Sequence, residues 1–214
     1  MTAHAHSEPE RLFSRYLDPV DGTCCVPAHS TSADIEALIA EHPLRFPLLL
    51  DKSAPLHSQL HASTHASASY RFGPICDNIL GMNWSLPNGK TVRVGERVAK
   101  STTGYDWLRF LLHTGSRFGK PLDYVLRLRP DSGFEALVYF NGSTNALRQC
   151  VNTLLHDGWM HWWDSLDYIT KQNRAYVRVH FNTLAQESPL FIAHLKTIAS
   201  KCGLEISVES PAAF

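Results

Sequence analysis

Histidines recur at every fourth position in one stretch, His57, His61 and His65, and on a helix that spacing lines them along one face. Imidazoles at i and i+4 can reach a single metal ion, and a third from the next turn joins only with bending. Asp51, on the preceding loop, is the nearby carboxylate, and no cysteine completes a tetrahedral set. The row therefore has three readings: a metal site, a site for phosphate or another small anion, and a solvated helix face. His180 and Arg178 point to the same side of one predicted strand, a pairing common on solvated sheet faces. No Ser-His-Asp or Cys-His arrangement can be read from spacing, so the residues offer no catalytic set.

Two further groups carry chemistry of a different kind. Trp159, Met160, Trp162 and Trp163 cluster within five positions. Read as a strand, the segment puts Trp159, His161 and Trp163 on one face and Met160 with Trp162 on the other. One set would fill a core and the other would meet a partner, where aromatic and Met side chains are favoured. The five cysteines, Cys24, Cys25, Cys76, Cys150 and Cys202, form an odd set without CxxC spacing. They read as reduced, partly buried thiols of a cytoplasmic protein.

Composition narrows the partners. Twenty basic residues balance twenty acidic ones in 214 residues. That balance argues against nucleic acid and against a polybasic membrane attachment, both of which want a basic surface. No apolar stretch approaches the length needed to span a bilayer, and Met1 to Glu10 lacks the layout of a signal peptide. The apolar content of 44% is enough for a core, and the length suits two small domains.

The elements that would position these residues are legible in outline. Residues 1–15 read as disordered. A short strand is expected around Gly22 to Val26. A helix begins at Ser32 as cap, carries Ile35, Leu38 and Ile39 on one stripe, and stops at Pro43. Leu80, Met82, Trp84 and Leu86 alternate up to Pro87-Asn88-Gly89, and Val92 and Val94 resume, which predicts a hairpin. A helix from about Tyr105 to Leu112 and a strand bearing Leu122, Tyr124, Leu126 and Leu128 lead to Pro130, and these elements predict a mixed sheet with helices. Beyond it come a strand over Glu135 to Phe140, a helix capped at Ser143 or Thr144 and ended by Gly158, the aromatic run, a strand over Ala175 to Phe181, a helix from Ser188 to Gly203, and a last strand over Glu205 to Val208. That βαββαβ order predicts a ferredoxin-like domain over 131–214, after a first domain over 16–130.

Several segments together resemble the FAD-binding domain of vanillyl-alcohol oxidase and p-cresol methylhydroxylase relatives, above all the FAD-binding (E) subunit of glycolate oxidase. Asp77-Asn78-Ile79-Leu80-Gly81 matches the family's strand entry, and Leu86-Pro87-Asn88-Gly89-Lys90 its turn. Val98-Ala99-Lys100-Ser101-Thr102-Thr103-Gly104-Tyr105-Asp106 follows its Val-x-Lys-Asn-x-x-Gly-Tyr-Asp motif, with serine where asparagine is usual. Leu126-Arg127-Leu128-Arg129-Pro130 matches the domain's end, and Ser32 to Phe46 resembles the start of its second subdomain. The resemblance covers about Tyr16 to Pro130. It implies an α+β chain: the second subdomain of a p-cresol methylhydroxylase-type FAD-binding domain, then a ferredoxin-like cap-type domain.

What the resemblance implies about FAD is divided. Ala62, Gly95, Val98, Lys100, Gly104 and Tyr105 fall at positions that would touch the cofactor. The subdomain whose glycine-rich loop cradles the diphosphate has no counterpart before Tyr16, and Leu56 to Ala66 carries no glycine where the family has a Gly-Gly turn. The expectation is a shortened homologue in which FAD is absent or weakly held by the isolated chain. It would be non-catalytic or accessory, acting as a homo-oligomer or as a hetero-oligomer with a flavoenzyme subunit. The alternative is an FAD-binding oxidoreductase subunit for 2-hydroxy acids whose phosphate loop comes from another chain.

Overall fold

The computed structural model describes residues 12–48, 50–62, 69–97, 106–159, 162–171 and 174–209, with the backbone alone at 61, 62, 69 and 70. The chain divides into two compact units. One comprises the described residues up to 46, those from 50 to 62 and those from 74 to 129; the other comprises 47–48, 69–73 and the described residues from 130 onward.

The first unit is built on a five-stranded sheet. Its strands are β1 (Tyr16–Asp18), β2 (Thr23–Pro27), β4 (Ile79–Ser85), β5 (Thr91–Gly95) and β6 (Lys120–Arg127), in the order β1-β2-β6-β4-β5. Every pairing is antiparallel, so the sheet is not the mixed one that the sequence suggested. Two-residue strands, β3 (Leu44–Arg45) and β7 (Arg129–Pro130), complete the numbering at this end of the chain. Met82 and Trp84 of β4 and Tyr124 and Leu126 of β6 are fully buried. The β4–β5 hairpin forms because Asn88-Gly89 supplies the turn. Gly89 takes φ +79°, the Asn88 side chain accepts the Lys90 N–H at 3.0 Å, and Leu86 N–H donates to Lys90 O at 2.8 Å.

Among the described residues, the α-helices of this unit are α1 (Ser32–Ile39), α2 (Leu56–Ala62) and α4 (Trp107–Thr114). The cap of α1 is Thr31, one residue before the expected Ser32. Thr31 Oγ1 accepts the Asp34 N–H at 3.2 Å, and the Asp34 carboxylate accepts the Thr31 N–H at 2.8 Å, a reciprocal capping box. Helix α4 starts two residues later than Tyr105, because the Asp106 carboxylate accepts the Arg109 N–H at 3.0 Å and sets the first turn. Within the stretch 1–15, expected to lack structure, Phe13 is buried: its N–H donates to Asn83 Oδ1 at 2.9 Å and its carbonyl accepts from Asn83 Nδ2 at 2.8 Å. Its ring closes the face of the sheet that carries Cys25 and Val125.

The second unit contains β8 (Gly133–Asn141), α5 (Thr144–Leu155), β9 (Ser165–Lys171), β10 (Arg174–Leu184), α6 (Ser188–Cys202) and β11 (Glu205–Glu209). The strands lie in the order β11-β8-β10-β9, all antiparallel. A βαββαβ chain whose fourth strand sits beside the first and whose third sits beside the second is the ferredoxin-like arrangement. Val138, Phe140, Val177, Val179 and Phe181 of the sheet pack against Leu147 and Leu154 of α5 and Phe191, Leu195 and Ile198 of α6. Each of these large side chains contributes roughly 1.5–3 kcal/mol by leaving water. Ser143 caps α5 through the Ala146 N–H at 3.3 Å. Gly203, at φ +65°, ends α6 in the left-handed conformation.

Two features of this unit depart from the sequence reading. Trp159, Trp162 and Trp163, the aromatic residues described, lie outside any strand: the Trp162 N–H donates to Trp159 O at 2.9 Å, and the strand begins only at Ser165. Two-residue alternation therefore does not apply. Trp163 is buried in the core, Trp162 is exposed, and Trp159 stacks on the His194 ring at 4.7 Å; Met160 and His161 lie outside the described residues. The other feature is a short helix, α3 (Ser69–Phe72), that packs near β9 and belongs to this unit.

Candidate functional site

The histidine row begins on α2. The His57 N–H donates to Ala28 O at 2.9 Å, and its ring Nδ1 lies 3.1 Å from the same oxygen. A carbonyl only accepts, so Nδ1 carries the proton and Nε2 is the ring nitrogen left for a ligand. The Asp51 carboxylate accepts from Ser53 N at 2.8 Å and Ser53 Oγ at 2.7 Å, and these bonds hold it below the usual carboxylate range. The His61 side chain and His65 lie outside the described residues, and among the described residues no group of three His, Cys, Asp or Glu is placed to hold a metal.

Of the positions assigned to cofactor contact, Gly95 is described in full. It closes β5 at φ +79°, and a Cβ there would fall 2.3 Å from Leu80 O and 2.7 Å from Gly81 Cα. Gly81 in turn faces Phe13, whose ring a Cβ would meet at 2.8 Å. The hairpin's own close approach requires Gly95, and the Phe13 ring laid over the strand requires Gly81. The space that a side chain at Gly95 would take is filled by this chain's own backbone. Ala62 is the last residue of α2, and Val98, Lys100, Gly104 and Tyr105 lie outside the described residues.

An aromatic surface, not singled out by sequence, lies on α4 and the turn after it. Trp107, Phe110 and Phe118 are 56%, 43% and 45% exposed, with ring centroids 5.7 Å apart for Trp107–Phe110 and 5.4 Å for Phe110–Phe118. Charges border it: Arg109 bonds Asp77 at 2.5 Å and lies 3.4 Å from Asp106. The signal in the sequence was the i, i+3 spacing of Trp107 and Phe110 on a helix whose inner positions are Leu111 and Leu112.

In the second unit, one sheet face gathers titratable groups. His180 and Arg178 do share a side of β10, but they are not on a solvated face. His180 is 1% exposed, with Nε2 2.5 Å from Glu135 Oε1 on β8 and Nδ1 3.7 Å from Asp164 Oδ2. Asp164 is itself fully buried and accepts from Arg71 Nη1 of α3 at 2.7 Å, while its N–H donates to His180 O at 2.7 Å. Arg178 bonds Asp167 Oδ2 of β9 through Nε at 3.2 Å and Nη2 at 3.0 Å. Alternation along β10 identifies the side of the sheet; what covers that side is contributed by residues far away in sequence. Burial raises the Tyr139 phenol above its ordinary value, and Glu209 adds to the shift. Asp164, His180 and Glu135 form a line from a buried carboxylate to a partly exposed one. Beside Arg71, a cavity of about 320 Å³ is lined by Ser132, Trp162, Asn182, Leu184 and Glu187.

No protein-family profile matches the chain. Over 124 residues it is 26% identical to a mitochondrial D-lactate dehydrogenase (cytochrome) of Arabidopsis thaliana, an alignment covering 57% of this chain and 22% of that protein. Over 98 residues it is 24% identical to an uncharacterized FAD-linked oxidoreductase of Mycobacterium tuberculosis, covering 45% of this chain and 21% of the other. Among solved structures, a xylooligosaccharide oxidase from Myceliophthora thermophila C1 in complex with xylobiose superposes with TM-score 0.69 at 16% identity, over 93% of this chain and 42% of that one. An alkyldihydroxyacetonephosphate synthase gives 0.67 at 10% identity, over 92% and 41%. The chain is weakly homologous to FAD-linked oxidases. The chain spans about a fifth of the length of the curated relatives it matches. Its likeness to the oxidase structures runs across nearly all its residues, so the α+β fold is theirs. Among the described residues, no helix is long and apolar enough to cross a membrane.

Proposed function

We propose that this chain is an accessory, non-catalytic homologue of the FAD-linked oxidases, of the glycolate oxidase subunit kind, that acts in the cytoplasm by binding a protein partner. The partner is a second copy or a flavoenzyme subunit. The observation that carries this reading is the exposed row of Trp107, Phe110 and Phe118, rimmed by Arg109 and Asp77. Large aromatic side chains grouped on a surface with a charged rim have the composition of a protein interface.

The test is light scattering and sedimentation of the purified chain, alone and with a flavoenzyme subunit, beside Phe110→Glu. Association that Phe110→Glu abolishes without lowering the melting temperature supports the reading. A chain that stays monomeric at high concentration and ignores the subunit overturns it.

A second reading is favoured by the His180–Glu135 and Arg178–Asp167 pairs on one sheet face. It makes the chain an FAD-binding oxidoreductase subunit for 2-hydroxy acids, with the diphosphate loop supplied by another chain. A purified complex with flavin absorbance supports this reading, and a colourless complex sinks it.

A further inference from the structure

Cys150 lies in the middle of α5 and is completely buried, while Cys202 is the last residue of α6 and is only half-buried. Cys150 belongs to the buried cluster of the helix layer over the ferredoxin-like sheet and Cys202 packs against that cluster, close enough for the Cys202 thiol to act on that of Cys150. Both are free thiols. Thiols that neighbour each other across two packed helices are placed to be bridged with little backbone movement. The other cysteines are placed differently. Cys24 and Cys25 are neighbours in extended β2, where successive side chains point to opposite faces, and Cys76 has Asp77 and Arg109 as its charged neighbours.

We propose that Cys150 and Cys202 are a peroxide-responsive thiol pair that closes to a reversible disulfide joining α5 to α6. The accessible Cys202 reacts first: its thiolate sulfur attacks one oxygen of hydrogen peroxide, the O–O bond breaks, and hydroxide leaves, taking up the thiol's proton as water. Cys202 is then a sulfenic acid. The Cys150 sulfur next bonds to the Cys202 sulfur, the S–O bond breaks, and the hydroxyl departs with the Cys150 proton as a second water. Two thiols together lose two electrons and two protons, and one peroxide is reduced to two waters. Burial divides the roles. The Cys150 thiol is pushed up to about 12, so it stays protonated and unreactive towards peroxide in solution until Cys202 is activated beside it.

Closure has a mechanical consequence. Cys202 precedes Gly203 and Leu204, which turn the chain into edge strand β11. A bond to the centre of α5 fixes that end of α6 and closes a loop through β9 and β10, which restricts the unfolded chain.

The experiment treats the purified full chain with hydrogen peroxide and follows intact mass, non-reducing peptide maps and melting temperature. The expected result is a mass loss of two hydrogen atoms, one linked peptide pair carrying 150 and 202, a melting temperature raised by roughly 5 °C or more, and full reversal by dithiothreitol. Cys202→Ser at the helix end should abolish the linkage and leave Cys150 as a free thiol. Cys150→Ser should leave Cys202 as a sulfenic acid that dimedone labels. Oxidation of Cys202 to the sulfinic acid in the wild-type chain with Cys150 still free, or a linkage between other cysteines, overturns the proposal.

Discussion

The imidazole of His180 meets the carboxylate of Glu135 at 2.5 Å, and His180 is 1% exposed although it lies on the face of the sheet away from the helices. Asp164 and Arg71 close over its other side. A buried imidazole held between two carboxylates is a structural anchor whatever else it does, because removing it leaves both its volume and its partners uncompensated. His180→Ala should cost about 2–4 kcal/mol in urea unfolding at neutral pH. Glu135→Gln, at a partly exposed carboxylate, should cost about 1 kcal/mol or less. A near-zero cost for His180→Ala would show that the ring sits in water.

Gly95→Ala separates a backbone role from a cofactor role. The left-handed φ and the contact with Leu80 O both oppose a side chain, so the variant should lose roughly 2–4 kcal/mol. The loss should be the same with and without added FAD. A variant of wild-type stability with changed flavin affinity would move Gly95 into a binding site.

Phe13 tethers the N-terminal segment to the sheet. Its ring fills the space over Gly81 and lies 4.7 Å from the Arg93 guanidinium. Phe13→Ala should destabilise the first unit by about 3 kcal/mol, read as an earlier unfolding step or as faster proteolysis of the N-terminal segment. Wild-type behaviour would mean that the segment is not anchored.

Alkaline pH should weaken the fold through its buried thiols. Burial pushes Cys24 and Cys150 up to about 12 and Cys25 up to about 11, from an unfolded value of 9.0. These groups hold their protons longer when folded. The stability they contribute is therefore complete below pH 9 and is lost as pH rises through the folded values. At pH 10 each of them should already have cost about 1.4 kcal/mol relative to pH 8. Urea midpoints under reducing conditions should fall accordingly, and Cys150→Ala should make the fall shallower; an unchanged slope would mean that Cys150 ionises as readily folded as unfolded.

How far the sequence reached can be judged element by element. The β4–β5 hairpin was legible because Asn88-Gly89 and the alternation around it are local signals, and α6 because Pro189 and Gly203 bracket an apolar stripe. The ferredoxin-like order followed from the succession of elements after Pro130, since that succession leaves few ways to cover one sheet with two helices. Periodicity failed for Trp159, Trp162 and Trp163, which lie outside any strand and so lack the two-residue period on which the facing of each ring had been judged.

By itself, then, the sequence determined the kind and order of the elements, the α+β class, and a likeness to FAD-linked oxidases carried by motifs in register. Each of these rests on neighbours along the chain. Tertiary structure alone decided that His180 is buried between Glu135 and Asp164, that Arg71 reaches Asp164 from 93 residues away, and that Phe13 lies over Gly81. Those contacts join segments whose separation carries no periodic signal, so only the folded chain brings them together.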